Sequence, residues 1–193
     1  MGGATLTLTK NSNVDQPGGA MIGGNGYGRS SNCPLKDGED AGDINIESGN
    51  LFISATTTAD YLYTTAIGGG GAHYNGGTGV KGGTGGTISI RGGTVSINLY
   101  TNDYIFGAGI GGGPSYRGNG GAGGTITITG GTVNIIHGSD NVVGGAGIGG
   151  GGVYSTGAAG NSGAISILGG SVSVVRQHYS GTGFVTNING AGI

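Results

Sequence analysis

The feature that most narrows the choice of fold is self-similarity. An Ile ahead of a glycine run recurs at Ile22, Ile67, Ile110, Ile148 and Ile193, with spacings of 45, 43, 38 and 45 residues. Each of the first four anchors is followed by a Gly-rich loop, a strand-like run, a two-residue turn and a second strand-like run. In the third unit these runs read TITIT, Gly130-Gly131 and TVNI. The second unit reads TISI, Gly92-Gly93, TVSI, and the fourth AISI, Gly169-Gly170, SVSV. The first is the most divergent, with DINI, Ser48-Gly49 and NLFI. Alternation with a period of two puts Ile126, Ile128, Val133 and Ile135 on one face, and Thr125, Thr127, Thr132 and Asn134 on the other. One such unit cannot bury its apolar row alone, whereas stacked units make a continuous Ile/Val column.

These patterns predict an all-β chain: a right-handed parallel β-solenoid of about four coils, with partial coils at both ends and long Gly-rich loops. Residues 1–193 form a single domain, with repeats at about 22–66, 67–109, 110–147 and 148–192. One repeat is read as one coil of three short strands and two variable loops, the first strand being the anchor (Gly107 to Gly111 in the third unit). Two smaller coils per repeat is the competing count. A propeller fits worse, because four strands per blade are not visible. With 53 Gly among 193 residues a linker or a collagen helix is the obvious alternative. Recurrent β-branched runs argue against the first, and the lack of a strict third-position Gly period excludes the second.

The charge pattern excludes further classes. A net charge of −2, with seven scattered Lys and Arg, supplies no basic patch for nucleic acid. No apolar run approaches the ~20 residues that span a bilayer, and the first residues show neither a signal-peptide pattern nor, with Leu6, a myristoylation motif. Cys33 is the only cysteine, so no intrachain disulfide forms.

Each long loop carries one tyrosine: Tyr27, Tyr74, Tyr116 and Tyr154, lying 5, 7, 6 and 6 residues beyond their Ile. Stacked coils bring them into a rough aromatic ladder, with Arg29 and Arg117 beside it. A tyrosine ring offers its face to the C–H side of a sugar and its hydroxyl to a hydrogen bond. The rings therefore either bind carbohydrate or stack on one another to pin the glycine loops. A second column lies seven residues before the anchors, at Asp15, Asp60, Asp103 and Asn141 with Asp140 adjacent. Turn-forming hydrogen bonds are the expected role there, with Ca²⁺ between coils the alternative. The acidic segment holding Asp37, Glu39, Asp40, Asp43 and Glu47 lacks EF-hand spacing. It reads as a solvated loop, with a local Ca²⁺ site on Asp37, Glu39, Asp40 and Asp43 as the alternative; no other cofactor is implied. The histidines His73, His137 and His178 fall at different places in the repeat and suggest neither a triad nor a zinc site. No paired carboxylates mark a catalytic cleft, and the glycine runs lack the helix and GK[ST] of a phosphate loop. The chain is expected not to be an enzyme.

The order GxGI, Gly-rich loop, TITIT-GG-TVNI resembles repeats of bacterial cell-surface proteins described as carbohydrate-binding parallel β-helices. The resemblance covers residues 20 to 193 and rests on core and turn positions. In that family the first strand reads roughly GDGID, and its acids help bind calcium. The matching stretches here, GAGIG at 107–111 and 145–149, replace those acids with Ala and Gly. The resemblance implies an extracellular or cell-surface location and a structural or adhesive scaffold, with carbohydrate as a partner.

TLTLT at Thr5 to Thr9 matches the last strand of a coil, and GAGI at 190–193 matches a first strand, with no polar cap visible at either end. Two alternatives follow. Leu6 and Leu8 of one molecule and Ala191 and Ile193 of another could complete one coil, building head-to-tail filaments. Ice binding is suggested by low charge and the threonine runs, but the outward columns Asp43/Thr87/Thr125/Ala164 and Asn45/Ser89/Thr127/Ser166 are not a flat threonine array.

Overall fold

The computed structural model describes residues 3–12, 16–27, 36–73, 79–178, 187–188 and 192–193. Tyr74, Arg29, Ala191, Cys33 and Asp15 lie outside the described residues. The fold is a parallel β-solenoid in which every coil contributes one strand to each of four sheets.

The long sheet stacks Thr5–Ser12, Asn50–Thr57, Thr94–Thr101, Thr132–Ser139 and Ser171–Gln177. The short sheet stacks Asp43–Ile46, Thr87–Ile90, Thr125–Ile128 and Ala164–Ile167. The anchor sheet contains the two-residue strands Ile22–Gly23, Ile67–Gly68, Ile110–Gly111 and Ile148–Gly149. A fourth, the corner sheet, stacks Gln16–Pro17, Tyr61–Tyr63, Tyr104–Ile105, Val142–Val143 and Asn187–Ile188. A coil thus has four strands, where the sequence suggested three. The long strands also run eight residues in four of the five cases, twice the TVSI-type segment read from alternation.

Register explains the core. Ile44, Ile88, Ile126 and Ile165 form one inward column, and Leu8, Ile53, Ile97, Ile135 and Val174 another. Ile67, Ile110 and Ile148 close the core from the anchor sheet and are fully buried. Between short and long strands the chain turns on Ser48-Gly49, Gly92-Gly93, Gly130-Gly131 and Gly169-Gly170. The second glycine of each pair has φ between 80° and 91°, a region closed to most side chains. That is why the first position tolerates Ser48 and the second stays glycine.

The Gly-rich runs are not all loop. On that side of the coil the packing is backbone against backbone, in a zig-zag ladder between two columns. Glu39 N donates to Asn25 O, Gly70 N to Glu39 O, Gly83 N to Gly70 O, and Gly113 N to Gly83 O. Gly121 N to Gly113 O, Gly151 N to Gly121 O and Gly160 N to Gly151 O continue it, every bond 2.8–2.9 Å long. The columns sit so close that a Cβ on Gly70, Gly83, Gly113, Gly121, Gly151 or Gly160 would fall 1.9–2.0 Å from a carbonyl oxygen.

The ends differ from expectation. One inward column of the long sheet reads Lys10, Ala55, Leu99, His137, Arg176. Its terminal members are cations reaching polar partners: Lys10 Nζ donates to Thr64 Oγ1 at 3.0 Å, and Arg176 Nη2 to Gly145 O at 3.2 Å. Both are charged side chains on a column that is otherwise mostly apolar. Leu6 and Ile193 are indeed about half exposed, at 52% and 50%, while Leu8 packs against the core. Ile193, however, does not extend the anchor column in parallel. It exchanges two backbone hydrogen bonds with Ile148 in an antiparallel bridge. The columns Asp43/Thr87/Thr125/Ala164 and Asn45/Ser89/Thr127/Ser166 are aligned as expected.

Candidate functional site

The corner sheet and the loop after each anchor together build an aromatic cluster. In the corner sheet Tyr61 is level with Tyr104, and Leu62 with Ile105. Alternation sends Leu62, Ile105 and Val143 into the core and leaves the flanking rings on the outer side. Tyr61 and Tyr104 stack with ring centroids 5.3 Å apart, and Tyr63 stacks on Phe106 at 5.2 Å. Tyr63 and Phe106 are nevertheless buried, because the anchor loops fold over them. His73 packs edge-on against Tyr63 at 5.2 Å, and Tyr154 edge-on against Phe106 at 5.7 Å.

Of the loop tyrosines described, Tyr27 does not share a ladder with Tyr116 and Tyr154. Isolated bridges place Tyr27 level with Ala72, Ser115 and Val153. Tyr116 and Tyr154 lie one residue further on, level with His73, and a one-residue offset reverses the face a side chain takes. The true loop column is His73, Tyr116, Tyr154, with successive centroids 4.3 Å and 5.0 Å apart. Arg117 stands 5.4 Å from the Tyr116 ring centroid, a cation–π contact. Tyr27 belongs to a separate polar group. Its hydroxyl donates to Glu39 Oε1 at 2.5 Å and accepts from Lys36 Nζ at 2.8 Å. The Tyr27 hydrogen bond holds the Glu39 carboxyl below, and the Lys36 amine above, their ordinary ranges.

Tyr154 stands nearly perpendicular to Tyr104 and Phe106, at interplanar angles of 85° and 84°. These rings form an L-shaped corner around an open cavity of about 340 Å³, lined by Tyr104, Phe106, Val142, Val153, Tyr154 and Ser155. The Tyr61 and Tyr154 hydroxyls lie 3.1 Å apart, and that hydrogen bond, with burial, raises the Tyr61 phenol above its ordinary range. Burial and the nearby Asp103 likewise raise Tyr104. Asn141 Nδ2 donates to Asp103 Oδ1 at 2.8 Å and to the Tyr104 hydroxyl at 3.1 Å, forming a polar rim.

Among the described residues of the second column, Asp60, Asp103 and Asn141, the side chains do not make the turn. Thr57, Thr101 and Ser139 do, their hydroxyls accepting from the amides of Ala59, Asp103 and Asn141 two residues on. The acidic segment does not converge either. Asp37 Oδ1 accepts from Lys81 N at 2.7 Å, and Asp40 Oδ1 from Thr84 N at 2.6 Å. Glu39 turns to Tyr27 and Asn25, Asp43 sits exposed on an outward column, and Glu47 pairs with Arg91 at 2.6 Å. Among the described residues no three Asp, Glu, His or Cys side chains could hold a metal ion, and no helix is long and apolar enough to cross a membrane. His137 is wholly buried between Leu99 and Arg176, and its ring nitrogens find no hydrogen-bond partner. Burial, with Arg176 adding to it, pushes its imidazole down to about 3.

No protein-family model matches the chain, and neither a curated protein nor a solved structure matches it.

Proposed function

We propose that this chain is a non-enzymatic, extracellular or cell-surface scaffold whose aromatic corner binds carbohydrate. The observation that carries the reading is the perpendicular placement of Tyr154 against Tyr104 and Phe106 around an open cavity. Flat ring faces receive the C–H side of a pyranose. Beside them Asn141, Ser155 and the Tyr104 hydroxyl supply hydrogen-bond groups at the edge. A cavity of this size lies within the ~300–1,000 Å³ range usual for small-ligand sites. Rings serving only to pin glycine loops would satisfy themselves by mutual burial, as Tyr63 and Phe106 do, whereas Tyr154 keeps 37% of its surface exposed. The resemblance of the repeat to carbohydrate-binding β-helices supports the same ligand class.

Binding of the full chain to a glycan array, followed by titration of the best ligand, tests the reading. Tyr104→Ala and Tyr154→Ala are each expected to weaken binding about tenfold or more, the scale of one lost aromatic contact, with the fold retained. An array on which nothing binds, or binding untouched by both substitutions, refutes it.

A further inference from the structure

Resting on the carbohydrate reading, we infer that the aromatic corner prefers sugars bearing a protonated amine and rejects uronic acids, because Asp103, held through Asn141 beside the Tyr104 hydroxyl, sets a carboxylate next to it. Asp103 reaches the site through Asn141, whose amide spans its Oδ1 at 2.8 Å and the Tyr104 hydroxyl at 3.1 Å. Asp60 immediately precedes Tyr61, the ring stacked 5.3 Å from Tyr104, and its side chain is exposed. Asp140, one residue from Asn141, is paired with His178 at 2.7 Å.

The field of these carboxylates registers on their neighbours. Desolvation raises the Asp103 carboxyl, and Asp60 and Asp140 push it in the same direction. The Tyr61 and Tyr104 phenols are also raised in part by Asp60. Arg117 lies over the Tyr116 face, 5.4 Å from its centroid. Of the others, Arg91 pairs with Glu47 and Arg176 points into the solenoid. Aromatic faces themselves attract a cation. A sugar held against Tyr104 and Tyr154 with an ammonium toward Asp103 therefore gains from both, while a uronate meets a like charge.

The test titrates the full chain with three oligosaccharides of equal length: glucosamine with free amines, its N-acetylated form, and galacturonate. At low ionic strength the free amine should bind about fivefold tighter than the acetylated form, the scale of one exposed charge pair, with galacturonate weakest. The preference should disappear in an Asp60→Asn, Asp103→Asn double variant and shrink with added salt, while affinity for the acetylated sugar holds. Equal binding of the aminated and acetylated sugars, or strongest binding of galacturonate, overturns this inference and leaves the carbohydrate reading standing. Absence of binding to all three, joined to an empty array, overturns both.

Discussion

Replacing Gly113 with alanine puts a methyl carbon 2.0 Å from the Gly70 carbonyl oxygen and 2.5 Å from its carbon. Folded proteins essentially never hold a Cβ within 3.0 Å of such atoms, so the columns must part by about 1 Å. Neither obstructing atom belongs to a side chain that could swing away. The movement stretches two ladder bonds, Gly113 N to Gly83 O and Gly121 N to Gly113 O, both 2.8 Å. Each is worth about 1 kcal/mol net when made, and each buried donor or acceptor stranded without water costs about 1–3 kcal/mol. The expected destabilisation is therefore about 3–6 kcal/mol, a large share of the ~5–15 kcal/mol that holds a domain folded. Gly42 is the matched control, since a Cβ there meets nothing within 4 Å. Gly42→Ala should be neutral or stabilising by up to about 1 kcal/mol, through reduced freedom of the unfolded chain. Urea denaturation followed by circular dichroism measures both variants. A Gly113→Ala midpoint that places its stability within about 1 kcal/mol of Gly42→Ala would refute the backbone-packed ladder.

Three further outcomes are expected. His137 stays neutral in the fold down to about pH 3, whereas in the unfolded chain it takes up a proton near its ordinary value of 6.5. Its contribution is thus intact above pH 6.5 and is lost as pH falls toward 3, by about 1.4 kcal/mol per pH unit. His137→Leu should flatten this part of the profile; identical wild-type and variant slopes between pH 6 and 4 would disprove it. At the solenoid ends, in-register head-to-tail stacking would place Arg176 of one molecule beside Lys10 of the next on an inward column. Electron microscopy across a concentration series should accordingly show no axial filaments for the wild type, while a Lys10→Leu, Arg176→Leu variant associates; wild-type filaments would restore the assembly reading. Asp40→Ala, by removing the acceptor of the Thr84 amide, should cost about 1 kcal/mol in urea denaturation, and added Ca²⁺ should leave the wild-type midpoint unchanged. A calcium-dependent rise in that midpoint would revive the metal alternative for the acidic segment.

The short and long sheets were legible because alternation of Ile and Val with Thr, Ser and Asn is a direct imprint of a half-buried strand. The corner sheet was not. Its strands are two or three residues long, too short to alternate, and the equivalent positions run from Tyr61 and Tyr104 to Val142. A signal was present: Tyr61 and Tyr104 both lie six residues before their anchor isoleucines, and Tyr63 and Phe106 both lie four before. Tyr116 and Tyr154 lie six residues past their anchors and Tyr27 only five, and because the bridged positions lie five past every anchor that single residue puts Tyr27 in a different column. The glycine ladder was invisible for a different reason. A core made of backbone has no hydrophobic period, so Gly70, Gly83, Gly113 and Gly121 look in sequence like flexible loop.

The ladder also bears on how such a chain can diversify. Its rungs join the two feet of each long excursion: Asn25 with Glu39, Gly70 with Gly83, Gly113 with Gly121, and Gly151 with Gly160. The feet lie 14, 13, 8 and 9 residues apart, yet the clasp at their base is the same hydrogen bond each time. Lengthening a closed loop carries only a slowly growing entropic cost, about 0.6 kcal/mol per doubling. The clasp is made of backbone alone and uses no side chain between its feet. Insertions at the loop tips can therefore change what the surface presents without a compensating substitution in the core, and new recognition surfaces can arise on an unaltered solenoid.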